Sequence, residues 1–165
     1  MDITSDAAVL FSRIRPALVG ALALYCGDRG VAEDLAQEAL ARAWGRWRHV
    51  SALDAPERWV YRTAFNLARS RFRRLAVERR VQRLAPAVAP LPDTATAVAV
   101  RAAVSALPPR QRSAIVARYY LDLDVAASAD LLGCQPGTVK ALTHQAIASL
   151  RRAGLAVPEE VTTYG

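Results

Sequence analysis

Apolar residues recur at helical spacing along most of the chain, and no stretch of useful length alternates apolar and polar residues as a β-strand would. The pattern is clear in residues 31–47, where the apolar positions include Leu35, Ala39, Trp44 and Trp47. We expect both tryptophans to lie in a core. The pattern predicts an all-α fold.

Other segments predict further helices and their ends. Residues 7–25 form an apolar helix that we expect to be interrupted near Pro16, because proline lacks the backbone N–H that continues a helix. Residues 48–56 are predicted to be a turn-rich loop, and a further helix begins at about Glu57.

Residues 84–97 (LAPAVAPLPDTATA) differ from both flanks, since they are rich in proline and alanine and carry one charged residue. We expect them to form an extended linker. The sequence therefore predicts two small helical domains, over residues 1–83 and 98–165.

A helix-turn-helix is predicted by the spacing of Ala129, Gly133, Val139 and Leu142. Alanine permits two helices to cross closely, and glycine permits a left-handed turn between them. Helical hairpins also show this spacing, so the pattern alone leaves both interpretations open. A supporting helix over residues 109–120 would precede the pair 124–132 and 136–152. Val139, Leu142, Ala146 and Leu150 are expected to point inward.

Charge favours a nucleic-acid partner where it is clustered. The net charge of +7 makes binding to a polyanion plausible. A GC-rich coding bias could also produce many arginines, so we give weight only to arginines that are clustered. Residues 58–83, however, contain nine arginines and one acidic residue, Glu78. Aromatic residues that could stack on bases lie among them, namely Trp59, Tyr61, Phe65 and Phe72. We prefer a nucleic-acid face here to a merely solvated one.

The sequence predicts no catalytic residue, cofactor or metal. The two histidines, His49 and His144, are far apart in the chain, and no glycine-rich phosphate loop is present. Cys26 and Cys134 have no metal-ligand spacing and are expected to be reduced structural thiols. We see no apolar run near the roughly 20 residues that span a bilayer and no signal peptide, which predicts a cytoplasmic protein without membrane insertion.

Three passages in this order resemble the extracytoplasmic-function (ECF) sigma factors of the sigma-70 superfamily. They are GDRGVAEDLAQEALARAWGRW at 27–47, PERWVYRTAFNLARSRFRR at 56–74, and residues 107–152 with LPPRQR and GTVK. The resemblance implies a sigma region 2-like domain and a region 4-like domain. It also implies core RNA polymerase as a partner, contacted at the β′ clamp helices and the β flap. The polymerase-binding residues would be Asp34, Gln37 and Glu38.

The resemblance further implies binding to two promoter elements. The first domain would recognise and open the −10 element, with residues 49–56 forming a pocket for a flipped base. Its candidate contacts are His49, Ser51, Trp59, Arg62, Asn66, Arg69 and Arg73. The second domain would bind the −35 element as duplex DNA. Its candidate contacts are Gln135, Thr138, Lys140, Ala141, His144, Gln145 and Arg151.

Some positions depart from the family pattern. Ala141 and Leu142 follow Lys140 where many relatives have Ser and Arg, which removes an arginine that could read guanine. Ser70 stands where many relatives carry Asp or Asn. Ala127 stands where relatives commonly carry Glu. We therefore expect a promoter sequence that differs from those of such relatives.

The main alternative is a free-standing transcriptional regulator with a helical sensing domain before its helix-turn-helix. The acidic and basic helices of the first segment disfavour it, and a helical enzyme is a weaker third choice. The sequence leaves open whether an anti-sigma factor binds the chain.

Overall fold

The computed structural model describes residues 3–81 and 94–157, with side chains from residue 5 to 75 and from 94 to 157. Both ranges consist of helices and turns, without a β-strand in either, so the all-α prediction is confirmed. In chain order the helices are α1 (Ile3–Cys26), α2 (Arg29–Gly45), α3 (Trp47–Val50), α4 (Pro56–Val81), α5 (Ala95–Ala106), α6 (Pro109–Ile115), α7 (Val125–Leu132) and α8 (Pro136–Arg152). We refer to α1–α4 as the N-terminal half and to α5–α8 as the C-terminal half.

Helix α1 is continuous through Pro16, so the predicted interruption is wrong. Proline at this position removes the hydrogen bond to the carbonyl of Ser12. Because Ser12 and Pro16 are both exposed, water can solvate that carbonyl. On the opposite side of the helix Leu18 and Leu22 are fully buried. Their packing outweighs the local cost of the proline.

The core of the N-terminal half lies between α1, α2 and α4. Helix α2 begins at the N-cap Asp28, whose carboxylate accepts a hydrogen bond of 2.9 Å from the backbone N–H of Val31. Its buried face consists of small residues and one leucine, which lets α1 pack closely: Ala32, Leu35, Ala36, Ala39 and Ala43. Tyr25 completes this core, with its ring centroid 5.6 Å from that of Phe65.

The predicted loop at residues 48–56 is partly helical. Trp47–Val50 forms the short helix α3, and the turns that follow lead to α4 at Pro56. Trp47 and Val50 are buried, and the Trp47 ring packs edge-on against Phe11 with centroids 5.5 Å apart. These two apolar contacts explain why the segment is helical, which its turn-rich composition did not indicate.

In the C-terminal half, α7 and α8 form the predicted helix-turn-helix. Asp124 caps α7 by accepting a hydrogen bond of 2.7 Å from the N–H of Ala127. Gly133 ends it with φ 64°, the left-handed conformation that glycine adopts easily. Ala129 is buried where the helices approach. Helix α6 continues into a π-helical turn, Val116–Tyr120, before this motif.

The start of α5 corrects the predicted linker. Thr94 accepts a hydrogen bond of 3.4 Å from the N–H of Ala97, and α5 begins at Ala95. Residues 95–97 are therefore helical, because a threonine cap precedes a run of small residues that favour a helix. Residues 84–93 of the predicted linker lie outside the described part of the chain.

The two halves pack against each other through one continuous apolar core. C-terminal residues that join the core of the N-terminal half are Ala114, Val116, Ala117, Leu131 and Leu132. Arg112 adds polar contacts at this junction. Its guanidinium donates to the carbonyl of Tyr25 at 2.7 Å, and to the carbonyls of Ser105 at 2.7 Å and Leu107 at 3.0 Å. It thereby ties the end of α1 to the turn between α5 and α6.

Helix α1 also corrects the expectation that no apolar run approaches membrane-spanning length. Ser5–Cys26 is 22 residues long with a mean hydropathy of 1.6, and it is long and apolar enough to cross a membrane by length and composition. Within the protein, however, this helix packs against α2, α4 and the C-terminal half. The core helix of a soluble protein meets the same criteria, so the property alone is weak evidence for a membrane span.

Candidate nucleic-acid interface

The acidic residues of α2 lie on its exposed face. Asp34, Gln37 and Glu38 are all exposed, as the helical spacing predicts. Glu38 forms an ion pair of 2.6 Å with Arg42, one helical turn further along. Trp44 is 49% exposed, so the prediction that it belongs to the core is wrong. It differs from Trp47 because it stands on the solvent side of α2, whereas Trp47 begins α3 and packs against Phe11.

Helix α4 presents a basic face. Arg58, Arg62, Arg73 and Arg74 are exposed, whereas Arg69 is half-buried against the C-terminal half. Burial lowers the pKa of the Arg69 guanidinium below its ordinary value, since desolvation disfavours the charged form. Arginines that lie side by side on one helix suit a polyanion such as a nucleic-acid strand.

Most of the aromatic residues of α4 are not available for stacking on bases. Phe65 is fully buried, and the Phe72 ring packs edge-on against Tyr25 with centroids 5.3 Å apart. The prediction that these two phenylalanines stack on bases is therefore wrong. Tyr61 is half-buried beside residues of the helix-turn-helix. Trp59 remains as an aromatic surface that faces a cleft.

That cleft lies between the end of α2 and the middle of α4 and has a volume of about 520 Å³. It brings the predicted Trp59 and Asn66 together with two arginines that the sequence did not single out, Arg42 and Arg46. The remaining lining residues are Gly45, Thr63, Leu67 and Ser70. Positions 59, 63, 66 and 70 are three or four residues apart, so they lie on one face of α4, and this spacing can be read from the sequence. An aromatic ring, an amide and cations in one cleft can hold an unstacked base and its phosphate.

Asn66 is oriented by its neighbour on the next turn. Arg69 donates a hydrogen bond of 2.5 Å to the amide oxygen of Asn66 and another of 2.7 Å to the backbone carbonyl of Leu132 in α7. Arg62 lies 3.5 Å from the carboxylate of Asp130, also in α7. Arg73 donates to the hydroxyl of Ser70 at 3.3 Å. Two of the predicted DNA-binding arginines thus already contact the C-terminal half.

The other predicted residues of the first segment lie outside this cleft lining. His49 is on α3 and Ser51 directly follows it, and both side chains are exposed. Their position after α3 leaves them accessible to a ligand. Their role in a base pocket stays a prediction.

Helix α8 presents an exposed face where the sequence predicted one. Its exposed candidates are Lys140, Ala141, His144, Gln145 and Arg151, and Gln135 is exposed at the turn. Thr138 is partly buried. Val139, Ala146 and Leu150 are buried as expected, and Leu142 is partly buried.

Two side chains near this face were not anticipated. Gln111 of α6 donates a hydrogen bond of 3.4 Å to Gln145, so the supporting helix reaches the predicted groove-binding face. Thr143 is buried on the inner side of α8 together with Ile147. The alternation of Thr143 and His144 between inside and outside follows directly from helical geometry.

No ligating cluster accompanies these faces. Across residues 3–81 and 94–157, no group of three or more His, Cys, Asp or Glu side chains is placed to hold a metal ion. The acidic face of α2, the basic face of α4 and the exposed face of α8 present charged and polar side chains that suit macromolecular partners.

Comparisons with known proteins identify the two segments. Residues 10–78 match the family Sigma-70 region 2, and residues 97–150 match the family Sigma-70, region 4. The chain is 32% identical over 124 residues to the RNA polymerase sigma-E factor of Streptomyces coelicolor, covering 73% of this chain and 70% of that protein. It is 31% identical over 126 residues to the ECF RNA polymerase sigma factor SigM of Mycobacterium tuberculosis, covering 73% and 63%.

A solved structure extends the likeness to both halves. The sigma factor RpoE from Bartonella quintana, solved in complex with the anti-sigma factor NepR, superposes with a TM-score of 0.81 at 22% identity. The match covers 90% of this chain and 96% of that one, which shows a shared fold. A region 2 match stands where a free-standing regulator would have its sensing domain, so the comparisons favour the main prediction over that alternative. The chain belongs to the sigma-70 family of RNA polymerase sigma factors, among those of the extracytoplasmic-function type.

Proposed function

We propose that the chain directs core RNA polymerase to promoters by binding the enzyme through α2 and DNA through α4 and α8. The observation that carries this proposal is the separation of charge within the N-terminal half. Asp34, Gln37 and Glu38 are exposed on α2, while arginines dominate the exposed face of α4. One small helical unit thus offers an acidic surface to a basic protein partner and a basic surface to DNA.

The cleft beside α4 suits the −10 element. Opening a duplex requires bases to leave the stack, which costs a few kcal/mol per step and must be offset by contacts to the separated strand. Trp59 offers a ring for stacking and Asn66 an amide for a base edge, next to the cations of Arg42 and Arg46. Arg62, Arg69 and Arg73 would hold phosphates along the same helix.

Helix α8 suits the −35 element as a recognition helix in the major groove. Its exposed residues Ala141, His144 and Gln145 would face base edges, while Lys140 and Arg151 would contact phosphates. Alanine at position 141 can make an apolar contact only, such as with a thymine methyl group. We therefore expect base preference to depend chiefly on Gln145 and His144.

These roles require no catalysis by the chain itself, and sigma factors are known as non-enzymatic initiation factors. The proposal places the protein in the cytoplasm, where core polymerase and promoter DNA are found, as is general for the family.

Reversing the charge of the α2 face tests the proposal directly. We expect Asp34→Lys with Glu38→Lys to weaken binding to core polymerase at least a hundredfold, since losing one partner of a buried interfacial charge pair costs about 2 to 5 kcal/mol. Co-elution in size-exclusion chromatography and a binding titration measure the effect. Circular dichroism should show an unchanged helix content, because both side chains are exposed.

The matched control carries the same charge change elsewhere. Asp6→Lys with Asp122→Lys alters two exposed acidic residues outside α2 and should leave polymerase binding intact. Unchanged affinity in the α2 variant, or an equal loss in the control, would remove the assignment of this face.

A further inference from the structure

We propose that Gln111 of α6 positions the side-chain amide of Gln145 on α8, so that Gln145 offers hydrogen-bond donors to DNA and reads a guanine in preference to an adenine. The inference deepens the proposed function, because it rests on α8 binding the −35 element. Gln111 is thereby a positioning residue, which acts on the DNA through Gln145.

The two glutamines meet where the supporting helix α6 packs against α8. The Nε2 group of Gln111 donates a hydrogen bond of 3.4 Å to the Oε1 atom of Gln145. Gln145 is exposed, whereas Gln111 is partly buried. The two residues are 34 positions apart in the chain, so the contact depends on how the helices pack and not on local spacing.

The packing of α6 on α8 holds Gln111 in place. Gln111 lies one helical turn before Ile115, which is buried in one apolar cluster with Ala146 and Ile147. The Oε1 atom of Gln111 is buried and has no hydrogen-bond partner among the described residues. Because this oxygen is enclosed, the Nε2 group is the end of the amide that reaches Gln145.

The direction of this hydrogen bond decides what the amide of Gln145 can offer to a base. A glutamine amide carries one oxygen that accepts hydrogen bonds and one NH2 group that donates two. Adenine, the usual partner of glutamine in the major groove, engages both, since its N6 donates and its N7 accepts. In this protein the oxygen is engaged by α6, which leaves the NH2 group as the free end of Gln145.

Guanine is the base that matches a free NH2 group. Its edge in the major groove presents two acceptors, N7 and O6, whereas thymine presents one and adenine places the donor N6 where guanine has O6. Ordering the amide before DNA binds also reduces the side-chain entropy that is lost in the complex. We therefore expect Gln111 to contribute both to base choice and to affinity.

Gln111→Glu is the main test, because it keeps the length of the side chain and replaces the donor with acceptors. Gln145 would then turn its NH2 group toward α6 and present its oxygen to the DNA. An exposed oxygen accepts from N6 of adenine and is repelled by O6 of guanine. We expect the preference to change from guanine to adenine, with each base ratio shifting about three- to tenfold, as for a single neutral hydrogen bond.

The measurement uses the full chain bound to core RNA polymerase and a library of randomised DNA duplexes, from which bound molecules are sequenced. Gln145→Ala identifies the base pair that Gln145 reads, because the preference is lost there. Adding Gln111→Glu to Gln145→Ala should change nothing further at this base pair. Gln111→Met has no NH2 group and should only weaken the guanine preference. Ala102→Glu places the same negative charge on the exposed side of α5 and should leave base choice unchanged.

The outcomes separate this inference from the proposed function. A wild-type preference for adenine at this base pair, or a guanine preference that Gln111→Glu and Gln111→Met both leave intact, would overturn the role of Gln111 while DNA binding by α8 stands. If Gln145→Ala changed no base preference, Gln145 would not read a base and the inference would fall. If wild-type complexes selected no upstream sequence at all, the proposed role of α8 would fall with it.

Discussion

The N-terminal half packs most of its large apolar residues against one another, whereas the C-terminal half packs many of its own against the N-terminal half. Tyr25 and Phe65 lie within the first core. Among the described residues, the buried members of the separate core of the C-terminal half are Val104, Leu107, Ile115, Ala146, Ile147 and Leu150. Leu131 and Leu132 of the helix-turn-helix instead complete the first core. The difference implies that the C-terminal half depends on the N-terminal half to bury part of its apolar surface.

The largest expected effect comes from the core of the N-terminal half. We expect Phe65→Ala to lower the free energy of unfolding by about 3 to 5 kcal/mol, through lost burial and an unfilled cavity. Because C-terminal residues share this core, the helix-turn-helix should unfold in the same transition. Urea denaturation followed by circular dichroism, with hydrogen exchange at α8, measures both. Ile147→Ala is the matched change in the smaller core, and it should leave α1, α2 and α4 protected. If the backbone amides of α8 stayed protected from hydrogen exchange in the Phe65→Ala variant, the C-terminal half would not depend on the core of the N-terminal half.

The second prediction, with a smaller expected effect, concerns alkylation of the Cys26 thiol, which lies at the end of α1 near the C-terminal half. Burial raises the pKa of the Cys26 thiol from 9.0 to about 12. Each unit of pKa is a factor of ten in thiolate at neutral pH, so we expect iodoacetamide to label this thiol more than a hundredfold more slowly in the folded chain than in urea. The Cys134→Ser variant isolates the signal.

The sign of the pH effect follows from the same shift. The folded chain retains a proton on Cys26 that the unfolded chain releases above about pH 9, so this thiol makes the fold less stable as pH rises from about 9 to 12. Labelling of the folded chain should increase tenfold per pH unit across that range, whereas labelling of the unfolded chain should level off. A folded-chain rate that levels off near pH 9 would show that the thiol is not buried.

The smallest expected effect compares two equivalent helix caps. Asp28→Ala and Asp124→Ala each remove a side-chain hydrogen bond to a backbone N–H and should each cost about 1 kcal/mol of stability. Since α7 covers Arg62 and Arg69, only Asp124→Ala should also strengthen single-stranded DNA binding. Chemical denaturation and fluorescence anisotropy measure the two effects, and the Asn variants, which retain the cap, serve as controls. Equal DNA affinities in both alanine variants would contradict the expectation that only the cap of α7 influences DNA binding.

The sequence predicted the elements whose signals are local. Helical spacing located the exposed acidic residues of α2, and Gly133 and Ala129 located the helix-turn-helix. These features depend on neighbours within a turn or two of helix, which periodicity describes. Continuity of α1 through Pro16 and the helical α3 were missed because both depend on packing against other helices.

The candidate site was less predictable for the same reason. Phe65 and Phe72 follow the aromatic pattern of a stacking surface, yet they are packed in the core beside Tyr25. Arg42 and Arg46 line the cleft because α2 ends beside α4. The spacing of residues within one helix does not show which other helix lies next to it. The engagement of Arg69 by Leu132 joins residues from the two halves and required the three-dimensional arrangement.

Gly20 has a consequence for how the sequence can change over generations. A glycine inside a helix costs about 1 kcal/mol relative to alanine, so random drift at this position would often produce a more stable α1. A β-carbon there would overlap the hydroxyl end of Tyr120, but that side chain is 46% exposed, so it can turn toward solvent without moving the helices. We therefore expect this codon to tolerate substitution, with a small side chain in α1 and the Tyr120 ring displaced outward.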